Sequence, residues 1–194
     1  MRICFVGDSL VNGTNDPRCL GWAGRAASAA MEAGISLTYY NLGVRGDTSR
    51  KINARIGREL AARLVPGVPG RVVLSFGAAD AFVEKTGPRL TVEESVDFLW
   101  RIVSETARKW PVIMAGPPPS ADPARNAGIA LLAGAFEDAC EAMGAPYLDF
   151  FTPLAANQDY MDEIARGDGI HPGAIGYDIM AELFMGWQAW MDWL

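Results

Sequence analysis

The chain has 194 residues, 50% hydrophobic and 21% charged, which suits a globular protein with a full core rather than a disordered segment. Its 17 basic and 23 acidic residues leave a net charge of −6, so no basic stripe exists to displace counterions from nucleic acid, and anionic membrane surfaces are disfavoured. The cysteines, Cys4, Cys19 and Cys140, are odd in number and lack CxxC spacing, which argues for free thiols and against a disulfide framework.

In chain order, short apolar runs alternate with longer helical patterns. Arg2–Val6 reads as a strand and Ala23–Ala33 as a helix, with Gly34 where a C-cap belongs. Ser36–Asn41 is the second strand and Thr48–Leu64 the second helix; Arg71–Phe76 is the third strand. Thr91-Val-Glu-Glu94 is a capping box that opens a helix over Val92–Lys109. Val112–Ala115 follows as a strand, Asn126–Met143 as a helix, Pro146–Phe150 as the last strand, and Pro172 to the end as a final helix. Strands this short and this continuously apolar are covered on both faces, hence parallel. The expectation is one domain over residues 1–194: a three-layer α/β/α sandwich, flavodoxin-like, with a parallel sheet of about five strands. Met1 precedes the first strand by one residue, so no signal segment is read and a cytoplasmic protein is expected. The longest apolar segments, such as Ile129–Phe136, are too short to span a bilayer. In the last helix Met180, Leu183, Phe184, Trp187, Trp190, Met191 and Leu194 form a core-facing stripe, and Trp190 and Trp193 near the terminus suggest a homodimer contact as a second use.

In such a sheet ligands bind beyond the carboxyl ends of the strands. The loops there are Gly7–Arg18, Gly43–Asp47, Gly77–Lys85 and Gly116–Arg125, with Thr152–His171 closing the rim. The first carries Ser9, directly after an apolar run; the last ends on His171, the only histidine, in Asp168-Gly-Ile-His-Pro172. A serine hydroxyl attacks a carbonyl at neutral pH only if a base takes its proton, and imidazole is the side chain matched to that task. A carboxylate three residues earlier reaches the other ring nitrogen and fixes tautomer and orientation. Ser9, His171 and Asp168 thus form the skeleton of a serine hydrolase, whose activity should rise with pH as the imidazole loses its proton. With one histidine and no cysteine cluster, neither a metal nor another cofactor is expected.

At these loops the chain resembles the SGNH (GDSL) hydrolase family of esterases, lipases and thioesterases. Phe5-Val-Gly-Asp-Ser-Leu10 is similar to the first family block, Asn41-Leu-Gly-Val44 to the second, Phe76-Gly-Ala-Ala-Asp-Ala81 to the third and Asp168–Tyr177 to the last. The resemblance implies Ser9 as nucleophile, His171 as base, Asp168 as its orienter, and structural work for Asp8 and Asp80. It also implies an oxyanion hole made of the backbone N–H of Ser9, the backbone N–H of Gly43 and an asparagine side chain in the third block. That asparagine is absent: Ala79 stands in its place in Gly77-Ala-Ala-Asp80. Either the chain is a natural variant of weakened or altered activity, or alanine was introduced to probe the site; the second is preferred, because one asparagine would restore the pattern.

The expected partner is a small-molecule ester. Without a lid insertion the site is open, which favours short acyl groups. Trp22, Phe82, Val83 and the turn Gly116-Pro-Pro-Pro119, with Pro117 at its centre, are candidates for shaping the acyl pocket; Asn12, Asn15 and Arg45 would supply polar contacts to an alcohol or sugar. Carbohydrate deacetylation and thioester cleavage stay open. Two rivals come from other classes: a flavodoxin-like cofactor binder with its phosphate in Ser9–Asn15, which leaves the DxxH block unexplained, and a catalytically impaired protein that binds an ester or glycan.

Overall fold

The computed structural model describes residues 1–84 and 87–194. Chain order runs β1 (Arg2–Gly7), α1 (Ser9–Asn12), α2 (Gly21–Glu32), β2 (Thr38–Gly43), α3 (Ser49–Arg63) and β3 (Gly70–Ser75). A two-residue pair, β4 (Val83–Glu84) and β5 (Gly87–Pro88), precedes α4 (Val92–Ala107), β6 (Val112–Ala115), α5 (Pro123–Met143) and β7 (Tyr147–Leu148). The chain ends through α6 (Phe151–Ala155), α7 (Gln158–Arg166), α8 (Ala174–Met185) and α9 (Gln188–Met191).

The five long-range strands pair in parallel in the order β2-β1-β3-β6-β7, the doubly wound arrangement expected from the alternation. Side chains alternate between two cores. Ile3 and Phe5 point into one with Trp22, Tyr177, Phe184 and Trp190; Cys4 and Val6 point into the other with Ile52, Ile56, Leu99 and Phe136. Phe5, Trp22, Phe184 and Trp190 meet in edge-on and tilted contacts, with ring centroids 4.9–5.9 Å apart. The stripe of the last helix is therefore spent on the protein's own core, with Met180, Phe184 and Trp190 buried and Met191 and Leu194 left exposed. Burial also pushes the Cys4 and Cys140 thiols up to about 12, which removes them as nucleophiles.

Several boundaries differ from the sequence reading, each for a local reason. Strand β2 starts two residues later than Ser36, because Thr38 is the residue level with Arg2 and its N–H donates to the Met1 carbonyl. Helix α5 starts at Pro123, since Asp122 accepts from the Ala124 N–H and proline suits the first helical position. Strand β7 stops at Leu148; Asp149 then accepts from the Thr152 N–H and turns the chain into α6. The segment read as one long rim loop from Thr152 to His171 holds most of α6 and all of α7, the latter capped by Asn157. The final helix breaks after Met185, at Gly186. The capping box of Thr91 and Glu94 forms as read, and Gly144 closes α5 with φ of 66°.

Candidate active site

Strand β1 delivers Ser9 to the carboxyl edge of the sheet, between the ends of β2 and β3. This is the point where chain connections leave β1 in opposite directions. Asp8 caps α1, its Oδ1 accepting from the Leu10 N–H at 2.9 Å, so the turn that presents Ser9 is pinned. Gly7 is required there, because a Cβ would collide with the Ser75 carbonyl of β3. The Ser9 N–H, first in its helix, has no intrahelical acceptor and remains available to a ligand.

The loop from α7 to α8 brings His171 to the same edge. Its Nε2 lies 2.7 Å from Ser9 Oγ and its Nδ1 lies 2.7 Å from Asp168 Oδ2. A carboxylate only accepts, so Nδ1 carries the proton and Nε2 turns its lone pair to the serine hydroxyl. Asp168 holds the loop as well as the ring: its Oδ1 accepts from the backbone N–H of His171 at 2.9 Å and of Ile170 at 3.1 Å. Burial works against the Asp168 carboxylate, but these backbone bonds and the His171 ring outweigh it and hold the group at about 2. The opposite holds for Asp8, which burial raises to about 7, helped by the charges of Asp80 and Asp47. Asp80, also raised by burial, accepts from the Ser49 N–H at 2.8 Å and ties the third-block turn to α3.

Two networks that the sequence reading missed lock the two halves of the site together. Arg55 of α3 donates to the carbonyls of Gly7 and Leu42, each at 2.9 Å, joining the ends of β1 and β2 beside Ser9. Arg25 of α2 pairs with Asp16 at 2.6 Å, and Asp16 in turn accepts from the backbone N–H groups of Arg18, Leu20 and Gly21. Tyr177 of α8 donates to the Thr14 carbonyl at 2.8 Å, so the loop after Ser9 is bolted to the helix after His171. Nothing in local patterning marks these residues; they matter only because distant segments meet.

A cavity of about 260 Å³ opens beside the serine and the imidazole. Ala78, Ala79, Phe82, Pro118 and Ile129 form its apolar wall, and Arg45 stands at its mouth, 3.8 Å from Asp168. The wall corrects several sequence expectations. Pro117 does not line the cavity; it packs under Gly77, while Pro118 and Pro119 face inward. Asn12 is exposed on α1 and accepts from the Thr14 hydroxyl, away from the cavity. Trp22 lies in the core, and Val83 is exposed outside the pocket. Asn15 reaches Asp168 at 3.4 Å. In the third rim loop, Gly77–Lys85, Lys85 lies outside the described residues.

Gly43 is also displaced from its expected place. Its N–H donates to Asn41 Oδ1 at 2.9 Å, and a Cβ at that position would fall 2.7 Å from the Asp8 carbonyl oxygen. The close approach that demands glycine is to the backbone of α1, not to a ligand. The glycine that faces the cavity is Gly46, with φ of 77° and open space around it. In the sequence, Gly46 is marked by Gly46-Asp-Thr-Ser49, the turn that opens α3, three residues beyond Gly43.

A doubly wound sheet that sets a serine, a histidine and an aspartate in a hydrogen-bonded row at its carboxyl edge defines a protein of the α/β hydrolytic type. The chain belongs to the GDSL-like Lipase/Acylhydrolase family, whose model matches residues 5–179. Among solved structures it is similar to the lipase/acylhydrolase from Enterococcus faecalis, at 23% identity over 95% of this chain and 93% of that one, with a TM-score of 0.78. It is likewise similar to the acetylxylan esterase Axe2 from Geobacillus stearothermophilus, at 20% identity over 97% and 95%, with a TM-score of 0.76. A third is a member of the lipolytic G-D-S-L family from Veillonella parvula, at 19% identity over 97% and 98%, with a TM-score of 0.76. No curated protein matched the chain. None of the described helices is long and apolar enough to cross a membrane.

Proposed function

We propose that this chain is a serine ester hydrolase acting on small or short-chain acyl esters through an acyl-enzyme on Ser9. The observation that carries the reading is the row Ser9–His171–Asp168, closed by two contacts of 2.7 Å. His171 takes the Ser9 proton as Oγ attacks the ester carbonyl, and Asp168 stabilises the imidazolium that forms. The carbonyl oxygen gathers negative charge and is met by the N–H groups of Ser9 and Gly46, the latter in place of Gly43. Collapse expels the alcohol, protonated by His171, and leaves the acyl group on Ser9. Water then attacks with the same histidine as base, releasing the acid and restoring the serine. The catalytic mutants described for the Geobacillus acetylxylan esterase replace a serine and a histidine by alanine, which agrees with these roles.

Ala79 leaves the third oxyanion donor unfilled, so turnover is slow for the architecture. That same residue favours a second reading, an ester- or glycan-binding protein with negligible turnover. Hydrolysis of p-nitrophenyl acetate together with covalent labelling of Ser9 by a fluorophosphonate separates the two. Labelling and turnover that both vanish in Ser9→Ala and His171→Ala support the hydrolase; an unlabelled Ser9 with no turnover above the Ser9→Ala background supports the binder.

A further inference from the structure

The chain carries net negative charge, yet its pocket is cationic. Arg45, Arg89 and Arg125 all line the cavity that holds Ser9 and His171. Among the described residues the one carboxylate in the lining is Asp8, buried and engaged by the Leu10 N–H, while Asp168 lies just outside it, 3.8 Å from Arg45. Arg89 and Arg125 flank one aromatic ring: their guanidinium carbons lie 4.8 Å and 4.2 Å from the centroid of Phe82, itself part of the wall. Stacking on the ring holds the planar forks in place, so little side-chain entropy is lost when they bind.

Arg89 is partly neutralised by Glu84 at 2.8 Å, but Arg125 forms no ion pair among the described residues. It occupies the third position of α5, a helix whose N-terminus is capped by Asp122 through the Ala124 N–H, so its guanidinium is free to face the cavity. A half-buried guanidinium without an ion-pair partner is locally unfavourable. An anion entering the cavity would relieve it, and a planar carboxylate or a phosphate matches the fork in geometry.

We propose that the ester this site takes carries an anionic group, a carboxylate or a phosphate, seated on Arg125 and Arg89 at the Phe82 end of the cavity. The proposal rests on the hydrolase reading for the word ester, whereas the anion site can be tested without turnover. In Ser9→Ala protein, affinities for benzoate, phenyl phosphate and neutral benzamide are measured by titration calorimetry or NMR. An anion binds at least about tenfold more tightly than benzamide, as a charge-assisted bidentate contact implies, and the preference weakens with salt. Arg125→Gln, which removes the charge and its fork, abolishes most of that preference, and Arg125→Lys restores part of it. The stronger of benzoate and phenyl phosphate identifies the anion. In the parent enzyme, kcat/KM for 4-acetoxybenzoate or 4-acetoxyphenyl phosphate exceeds that for methyl 4-acetoxybenzoate, and Arg125→Gln collapses the ratio. Equal binding of anion and amide, or a preference that survives Arg125→Gln in full, overturns the proposal and makes the arginine a packing residue. If Ser9 takes no fluorophosphonate label while the arginine-dependent preference persists, the hydrolase reading fails and the anion site stands.

Discussion

Replacing Ala79 by asparagine should raise turnover, and the structure sets the size of the gain. Position 79 sits in a turn held by the Asp80 N–H and the Ala81 N–H, both donating to the Gly77 carbonyl at 3.0 and 3.3 Å. Asp80 is fixed from the other side by Ser49, so a longer side chain at 79 extends into the cavity of about 260 Å³ without displacing the frame. A single oxyanion donor contributes about 3 kcal/mol to the transition state. Ordering the new side chain costs about 1 kcal/mol. The net, about 2 kcal/mol, is about a thirtyfold rise in kcat, with KM nearly unmoved because the bond forms to the developing oxyanion rather than to the ground-state carbonyl. The assay is p-nitrophenyl acetate hydrolysis by Ala79→Asn beside the parent, with Ser9→Ala as background. A folded Ala79→Asn protein whose kcat rises less than about tenfold, about two thirds of the estimated barrier change, would refute the assignment and mean that another group already occupies the hole.

Ser9→Ala and His171→Ala each remove nearly all ester turnover; near-parental rates in either, on a steady-state assay, would undo the proposed mechanism. Gly43→Ala lowers the melting temperature sharply, since its Cβ enters the backbone of α1, whereas Gly46→Ala stays folded and loses kcat as strain at φ of 77° tilts its N–H. Asp8 keeps its proton up to about 7 in the fold but loses it near the ordinary carboxylate value when unfolded. Folding therefore takes up a proton between about pH 4 and pH 7, and stability falls across that window by up to about 1.4 kcal/mol per pH unit. Asp8→Asn, which retains the cap acceptor, should flatten that part of the pH profile in chemical denaturation; an unchanged slope would show that Asp8 titrates normally. Sedimentation at high concentration should return a monomer, because Met180, Phe184 and Trp190 of the last stripe are buried in the protein's own core; a dimer would instead implicate the exposed Met191 and Leu194.

Neighbours along the chain were enough to specify part of this fold and site. Two-sided apolar runs imposed a parallel sheet, Thr91 and Glu94 imposed a helix start, and the spacing from Asp168 to His171 put a carboxylate within reach of an imidazole. Each follows from geometry repeated over a few residues. Tertiary structure decided what depends on segments far apart. Which of two glycines faces the cavity was settled by how α1 packs against the end of β2, which draws Gly43 inward and leaves Gly46 at the wall. The removal of Asn12 and Pro117 from the pocket, and the convergence of Arg89 and Arg125 on Phe82, have the same origin. A side chain's direction in a loop is fixed by what the fold places against it, and no periodicity along the chain encodes that neighbour.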